Sequence, residues 1–256
     1  MKKPMLIAFI SLYAAVCFGW GQKGHDVVAL IAEKHLSPKA KESVKKYLHA
    51  YPMVYYANWL DNVRNDPAYA ESVTWHYTNV DEGQSYQTMP KPSTGDILDG
   101  IRYAIRKIKD PASNDSIKTQ YLKYLIHLMG DVHCPMHAGR SSDLGGNRYS
   151  LKWMGQNTNL HKVWDEFMPE KSHAWSATEW VNFIDLPNSR MYEAYTRGNP
   201  EQWILETVEI SKDIYKHSPE NGNLAWDYLH QYTPLVEQQF LKGGYRLASV
   251  LNELFR

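Results

Sequence analysis

The chain has 256 residues, of which 43% are hydrophobic and 22% are charged, a balance typical of globular proteins. Nine tryptophans, 18 tyrosines and six phenylalanines can build a core, which excludes a wholly disordered chain. The 28 basic and 28 acidic side chains give a formal net charge of zero. The bulk charge therefore does not indicate a broad basic face for duplex DNA.

The first 19 residues predict a signal peptide. A short basic start over residues 1–3 precedes an uncharged, mostly apolar run over residues 5–18. This run is shorter than the roughly 20 residues of a membrane-spanning helix, so a secretory signal is the better interpretation. We therefore expect an exported protein, in the periplasm or outside the cell.

Small residues favour cleavage between Gly19 and Trp20, which gives a mature chain of residues 20–256. A lipoprotein anchor at Cys17 is the alternative, but Val16 is bulky for the position before a lipidated cysteine. Loss of two lysines with the signal leaves the mature chain with a net charge of −2.

The mature chain keeps one cysteine, Cys134, so it cannot form an internal disulfide. An exported protein without disulfides needs a large core or another cross-link, and a bound metal ion is one such cross-link.

Apolar spacing predicts a mainly helical, all-α chain. Predicted helices cover 24–35, 38 to about 49, 97–108, 121–132, a segment opening at 199–200, and about 234–254. Alternation over residues 148–154 predicts a short strand pair, while 81–93 and 139–147 are loops by composition. The chain shows no internal repeat or linker, so one domain over residues 20–256 is the simplest organisation.

Two histidine–aspartate pairs predict metal ligands. His127 and Asp131 are four residues apart on an apolar helix, and His161 and Asp165 repeat this spacing, so each pair projects from one helix face. The alternative is an intrahelical hydrogen bond in each pair. A carboxylate buried among leucines needs a compensating cation, which favours a metal ion. His137, just beyond the end of the first helix, lies close enough in sequence to join it.

Further candidate ligands occur in short motifs along the chain. The motifs are Trp20-Gly21-x-x-Gly24-His25, Trp59-Leu60-Asp61-x-x-Arg64, His76-Tyr77, His127-Leu128-Met129-Gly130-Asp131-Val132-His133-Cys134-Pro135-Met136-His137, Gly145-Gly146-Asn147, Leu160-His161-x-x-Trp164-Asp165, and Gly244-Tyr245-Arg246-Leu247-Ala248 with Leu251-Asn252. In this order they resemble the zinc-dependent, single-strand-specific nucleases of fungi and plants. Those extracellular enzymes have 3′-nucleotidase activity and share a helical fold with zinc-dependent phospholipase C. The resemblance implies a single-domain helical bundle with a short β-hairpin and a trinuclear zinc cleft.

The resemblance implies three Zn²⁺ ions and their ligands. The first ion is held by Asp61, His76, His127 and Asp131. The second is held by the α-amine and carbonyl of Trp20, by His25 and by the bridging Asp131. The third is held by His137, His161 and Asp165. Imidazole and carboxylate ligands without a thiolate suit zinc better than magnesium or calcium.

The resemblance also implies roles around the ions. Asp61 would orient the attacking water, Arg64 would supply charge to the transition state, and Asn147 would be a neutral donor. Tyr77 would stack on a base of the substrate. Asn79 lies two residues further along the chain, at a position where fungal members carry Asp. The alternatives are a surface salt bridge for Arg64, turn chemistry for Asn147 and packing beside His76 for Tyr77.

The remaining histidines carry no predicted role. His133 lies off the ligand face of its helix and is interpreted as structural. The others, interpreted as ordinary surface or half-buried groups, are His35, His49, His173, His217 and His230.

The sequence therefore favours an exported endonuclease that cleaves single-stranded DNA and RNA to 5′-phosphate products. A phospholipase C is the alternative, but such enzymes have Glu where Asp165 stands and a longer gap than that from Trp20 to His25. A zinc-binding protein without activity would have no reason to keep Arg64 and Asn147. The expected partner is single-stranded nucleic acid, with no stable membrane association, since no apolar surface helix is suited to a bilayer. No obligate protein partner is indicated.

Overall fold

The computed structural model describes residues 20–256, and the predicted signal peptide lies outside the described residues. The α-helices of this range are α1 (Gln22–Lys34), α2 (Pro38–Tyr47), α3 (Trp59–Asn62), α4 (Ile97–Lys109), α5 (Asp115–Asp131), α6 (Leu160–Lys162), α7 (Met168–Lys171), α8 (Ala177–Ile184), α9 (Ser189–Thr196), α10 (Pro200–His217) and α11 (Trp226–Leu254). Short 3₁₀ turns cover Met53–Tyr56, Pro67–Ser72 and Pro135–Ala138, and a π-helical turn covers Val163–Phe167. The predicted mainly helical fold is confirmed.

Several helices begin where the sequence supplies a capping side chain. The Ser37 hydroxyl accepts from the Ala40 amide before Pro38 opens α2, and Asn199 caps α10 in the same way before Pro200. Asp96 and Asp99 form a reciprocal capping box at the start of α4. Each cap satisfies amides that have no partner within the first helical turn.

A small sheet has the strand order β2-β1-β3. Strands β1 (Ser150–Trp153) and β2 (Gln156–Asn159) pair antiparallel, with Ser150 opposite Asn159. This hairpin confirms the strand pair predicted from alternation. The third strand, β3 (Asn223–Leu224), pairs parallel with β1, and its two residues are too few to produce a periodic signal.

The core lies where α11, α1 and α5 pack together. Helix α11 runs along α1 and also contacts α5, while α4 packs on α5 from the other side. Trp20, Trp180 and Phe240 form a buried aromatic group, with ring centroids 5.0 Å apart for Trp20–Phe240 and 5.2 Å for Trp180–Phe240. This packing holds the start of the described residues against the middle of α11.

Helix α11 begins eight residues before the predicted start at Pro234, so that predicted boundary is wrong. Pro234 lacks the amide that would donate to the carbonyl of His230, but His230 is exposed and water can serve that carbonyl. The first turns of α11 are fixed by packing, because Tyr232 contacts the buried Trp164 ring at 5.4 Å. From Trp20 to Arg256, the structure contains no helix with both the length and the apolar character of a membrane span.

Candidate metal centre

Helix α5 carries the central pair of the site, His127 and Asp131. Both are fully buried, and His127 Nε2 lies 3.2 Å from Asp131 Oδ2. The carbonyl of Ala57 lies 2.7 Å from His127 Nδ1. Because a carbonyl only accepts, Nδ1 carries a proton, and Nε2 faces Asp131 and the interior of the site.

Helix α1 adds His25 to the pair. His25 Nε2 lies 3.2 Å from Asp131 Oδ1, the second oxygen of that carboxylate. Its ring stacks on that of His127, with centroids 4.0 Å apart. Gly130 makes this approach possible, since a Cβ at that position would lie 2.5 Å from His25 Nδ1. The glycine predicted as part of the α5 motif thus provides space for a ring from another helix.

Asp61 from α3 and His76 from the following loop complete this part of the site. His76 Nδ1 lies 3.1 Å from Asp131 Oδ2, 3.1 Å from His127 Nε2 and 3.5 Å from Asp61 Oδ1. His127 Nε2 lies 3.6 Å from the same Asp61 oxygen. Two groups of candidate ligand atoms therefore meet at α5. They are His25–His127–Asp131 and Asp61–His76–His127.

A third group lies beside the first two, and its composition differs from the sequence expectation. The compact set is Cys134, His137 and Asp165. His161 lies next to it, with Nε2 3.9 Å from Asp165 Oδ2 and its ring 5.3 Å from that of His137. The sequence expectation names no sulfur ligand here, and the structure places Cys134 Sγ 3.9 Å from Asp165 Oδ1.

His137 and His161 are both oriented by backbone carbonyls. His137 Nδ1 donates to the His76 carbonyl at 2.5 Å, and His161 Nδ1 donates to the Gly145 carbonyl at 2.7 Å. In each ring Nε2 is then the acceptor nitrogen. His161 and Asp165 are not on one regular α-helix, since α6 gives way to the π-helical turn between them.

The loop before β1 is shaped by two adjacent glycines. Gly145 and Gly146 have φ of +64° and +83°, in the left-handed region. A Cβ at Gly145 would lie 2.7 Å from the Met136 carbonyl oxygen. The Asn147 amide donates to the Leu144 carbonyl at 2.9 Å, which is the turn chemistry weighed as the alternative for this residue.

Trp20 lies at the wall of a cavity that contains parts of the site. Its side chain is fully buried, and the Gly21 amide donates to the Asp165 carbonyl at 2.8 Å. The cavity has a volume of about 350 Å³ and is lined by Trp20, Asp61 and Asp165, among others. The predicted new N-terminus and two predicted ligands therefore face one space.

The remaining predicted residues lie around these groups. Arg64 follows α3, and its Nη1 atom is buried without a hydrogen-bond partner in the described part of the chain. Tyr77 and Asn79 are half-buried on a segment held beside the site, because the Thr78 amide between them donates to the His137 carbonyl at 2.7 Å.

Burial and close charges shift the pKa values of the site in opposite directions. Burial alone would lower the pKa of His127, but the Asp131 and Asp61 carboxylates outweigh it and raise that pKa well above its ordinary value. Burial and the His127 charge lower the pKa of His25 to about 4. Burial and the carboxylates of Asp61, Asp131 and Glu166 raise the pKa of Asp165. Such opposed shifts are typical of functional sites.

His133 is set apart from these groups by its own hydrogen bonds. His133 Nδ1 donates to the Met129 carbonyl at 2.8 Å, and Nε2 accepts from Arg246 at 3.0 Å. Burial and the Arg246 charge lower the pKa of this ring.

Cys134 is the residue that the sequence reasoning missed. Its position three residues after Asp131 and three before His137 was the available signal.

The side chains present fit bound metal. Tetrahedral coordination with bonds of 2.0–2.1 Å separates ligand atoms by about 3.3 Å, and the contacts among Asp61, His76, His127 and Asp131 span 3.1–3.6 Å. Several buried ligand atoms make no hydrogen bond within the described residues. They are both ring nitrogens of His25, Nε2 of His76, Oδ1 of Asp61 and Oδ1 of Asp131. Fold and site together define a helical protein with buried His–Asp clusters able to hold more than one metal ion.

Comparison with known proteins names the family. The S1/P1 Nuclease family matches residues 20–256, so the chain belongs to that family. Endonuclease 2 of Arabidopsis thaliana is 29% identical, over 98% of this chain and 96% of its own length. Nuclease S1 of Aspergillus oryzae is 25% identical over 97% and 96%, and Nuclease P1 of Penicillium citrinum is 26% identical over 92% and 97%. The chain is therefore a nuclease, a hydrolase of phosphodiester bonds in nucleic acids.

Proposed function

We propose that residues 20–256 form one zinc-dependent endonuclease domain that hydrolyses single-stranded DNA and RNA to 5′-phosphate products and also acts as a 3′-nucleotidase. The observation that carries the proposal is the convergence of imidazole nitrogens on both oxygens of Asp131, at 3.1–3.2 Å. A buried carboxylate in contact with three imidazoles is suited to hold two cations at once. The leader of residues 1–19 supports export to the periplasm or the medium.

Three Zn²⁺ ions are proposed. One is held by Asp61, His76, His127 and Asp131. The second is held by His25, Asp131 and the α-amine and carbonyl of Trp20. The third is held by His137, His161 and Asp165. Nitrogen and oxygen donors at tetrahedral spacing favour zinc over calcium or magnesium. Zinc, when bound, would supply a water ionised near neutral pH and polarise the phosphate oxygens.

The chain's own residues position the substrate and stabilise charge. Asp61 has a lowered pKa, because its attraction and hydrogen bond to His127, with the attraction of His76, outweigh its burial, and its carboxylate can accept a hydrogen bond from the attacking water. Arg64, with a buried nitrogen that has no partner within the described residues, stabilises the negative charge of the transition state. Asn147 has a smaller role as a neutral donor, because its amide also serves the Gly145–Gly146 turn.

The shape of the cavity beside Trp20 supports a single-stranded substrate. A space of about 350 Å³ is within the range of small-molecule sites. We propose that it holds one nucleotide whose base is unpaired. Tyr77 and Asn79 lie outside the lining of this cavity, on the segment held beside His137, and would contact a base of the strand there. Stacking on an aromatic ring tolerates any base but requires an unpaired one.

The test uses mature protein that begins at Trp20, purified without chelator. Single-stranded DNA, relaxed duplex DNA and phosphatidylcholine vesicles are incubated with it in parallel, and the ends of the products are identified. We expect rapid cleavage of the single strand, slow cleavage of the duplex and 5′-phosphate ends. Equal rates on both DNAs, or 3′-phosphate ends, would contradict the proposal. Faster hydrolysis of the vesicles would indicate a phospholipase instead.

A further inference from the structure

Two stacked tyrosines are exposed on the segment that leads to Ala57, whose carbonyl contacts His127. Tyr51 is 49% exposed and Tyr55 is 62% exposed. Their rings are stacked, with centroids 4.4 Å apart and planes 23° apart, and Tyr56 meets Tyr55 edge-on at 4.9 Å. A stacked aromatic pair that remains open to water adds little to the core, so its exposed face is available to a planar ligand.

Lys123 lies over two neighbouring rings and belongs to the helix that carries His127. Its Nζ lies 4.2 Å from the centroid of Tyr56 and 5.0 Å from that of Trp59. Lys123 is one turn before His127 on α5, which is about 6 Å along the helix axis. We call Tyr51, Tyr55, Tyr56, Trp59 and Lys123 the tyrosine platform.

The chain that leads into the tyrosine platform is basic. Residues 37–56 contain four lysines and one acidic residue, a net charge of +3, in a mature chain whose net charge is −2. The lysines are Lys39, Lys41, Lys45 and Lys46, all exposed on α2. One of them, Lys46, pairs with Asp115 at 2.9 Å. Helix α2 and the Met53–Tyr56 turn both pack on α5, and the end of α2 is held there by the Thr119 hydroxyl, which donates to the Tyr47 carbonyl at 2.7 Å one turn before Lys123.

We propose that the tyrosine platform is a second nucleic-acid subsite, which binds unpaired bases of the strand whose scissile phosphate lies in the metal centre. A base stacks on the exposed face of the Tyr51–Tyr55 pair, and the adjoining phosphates pair with Lys123 and the lysines of α2. Aromatic rings alternating with lysines are the pattern by which proteins bind single strands without sequence preference. This inference rests on the proposed nuclease function. It adds that part of the selectivity for unpaired strands arises outside the cleft.

The test compares a long and a short substrate. An oligonucleotide of about 20 nucleotides, longer than most single-strand grooves cover, reaches the platform, and a dinucleotide does not. Tyr51→Ala/Tyr55→Ala is compared with Tyr51→Phe/Tyr55→Phe, which keeps both rings. Phe183→Ala is the matched control, because Phe183 is a 57% exposed ring on α8. All are assayed as zinc-loaded mature protein, and their melting temperatures are measured.

We expect the double alanine variant to lose about fivefold or more in kcat/KM on the oligonucleotide, mainly through KM, since each stacked base contributes at least that factor. Activity on the dinucleotide, and the melting temperature, stay unchanged. The phenylalanine variant and the control behave as the parent protein.

An unchanged kcat/KM on the oligonucleotide would overturn the inference. Equal losses on both substrates would also overturn it, because they would show damage to the metal centre. A loss in the phenylalanine variant would assign the effect to the hydroxyl groups and exclude stacking. If the parent protein cleaves neither substrate, the proposed function fails and this inference fails with it. Failure of the inference alone leaves the parent's activity intact.

Discussion

The carboxylate of Asp131 lies 3.2 Å from the imidazole of His25, and this contact joins α5 to α1 at the centre of the fold. The other oxygen of Asp131 lies 3.1 Å from His76 and 3.2 Å from His127. One carboxylate therefore takes part in two neighbouring ligand groups. Without cations, several imidazoles and carboxylates would be buried together with ligand atoms that make no hydrogen bonds, an arrangement that is costly in free energy.

Substitution of Arg64 tests whether this residue stabilises the negative charge of the transition state. We expect Arg64→Ala to lower kcat on single-stranded DNA by about 100-fold, because an oriented donor to the transition state is removed. Zinc content and melting temperature should not change. Arg190→Ala, an exposed arginine at the start of α9, is the control. An Arg64→Ala enzyme with parental kcat would exclude the proposed role.

The N-terminal amine tests the role of Trp20. An amide nitrogen inside a peptide bond has no basic lone pair, so a chain with residues before Trp20 lacks this ligand. Protein that begins at Trp20 is compared with protein that carries Gly-Ser before it, both loaded with excess zinc. We expect the extended form to bind fewer zinc ions and to lose most of its activity. Full activity with the two residues demonstrably retained would show that the amine is dispensable.

Asp185 tests an electrostatic contribution outside the metal centre. His35 Nε2, Lys34 Nζ and the Tyr245 hydroxyl lie 2.9, 2.7 and 2.8 Å from its carboxylate. Burial would raise the pKa of Asp185, but these partners outweigh it and lower the pKa from 3.8 to about 2. Because the folded-state pKa is the lower one, the stabilisation is present above about pH 4 and is lost as the pH falls towards 2.

We therefore expect Asp185→Asn to lower the free energy of unfolding at pH 7 by about 1–2 kcal/mol. The difference from the parent should shrink as the pH falls below 4. Urea denaturation at a series of pH values measures it, with Glu42→Gln, an exposed carboxylate on α2, as the control. A difference that stays constant from pH 7 to pH 3 would contradict the assignment.

Local signals in the sequence predicted much of the helical structure. Ser37-Pro38 and Asn199-Pro200 mark helix starts that the structure confirms, because capping depends on residues a few positions apart. Pro234 carried the same signal but lies inside α11. Packing of Tyr232 against Trp164 fixes the preceding turns, and such a tertiary contact has no signature in the local sequence.

The candidate ligands were found by motif, but their arrangement was only partly predictable. The i, i+4 spacing of His127 and Asp131 gives the observed contact, since both lie on a regular helix. The same spacing for His161 and Asp165 gives a longer distance, 3.9 Å between Nε2 and Oδ2, because a π-helical turn separates the two residues. The sequence identifies Cys134 only as a lone thiol. Its approach to Asp165 depends on how two distant segments pack.

The zinc content of purified mature protein, and of its Asp131→Asn variant, tests the central claim most directly. We expect elemental analysis to find about three zinc ions per chain in the active parent protein, and a chelator to abolish cleavage of single-stranded DNA and lower the melting temperature. Because Asp131 contacts the ligands of two proposed ions, Asp131→Asn should lose at least one ion and more than about 100-fold of the activity. An active parent protein with one zinc ion or none, or an Asp131→Asn variant with full zinc content and activity, would contradict the account.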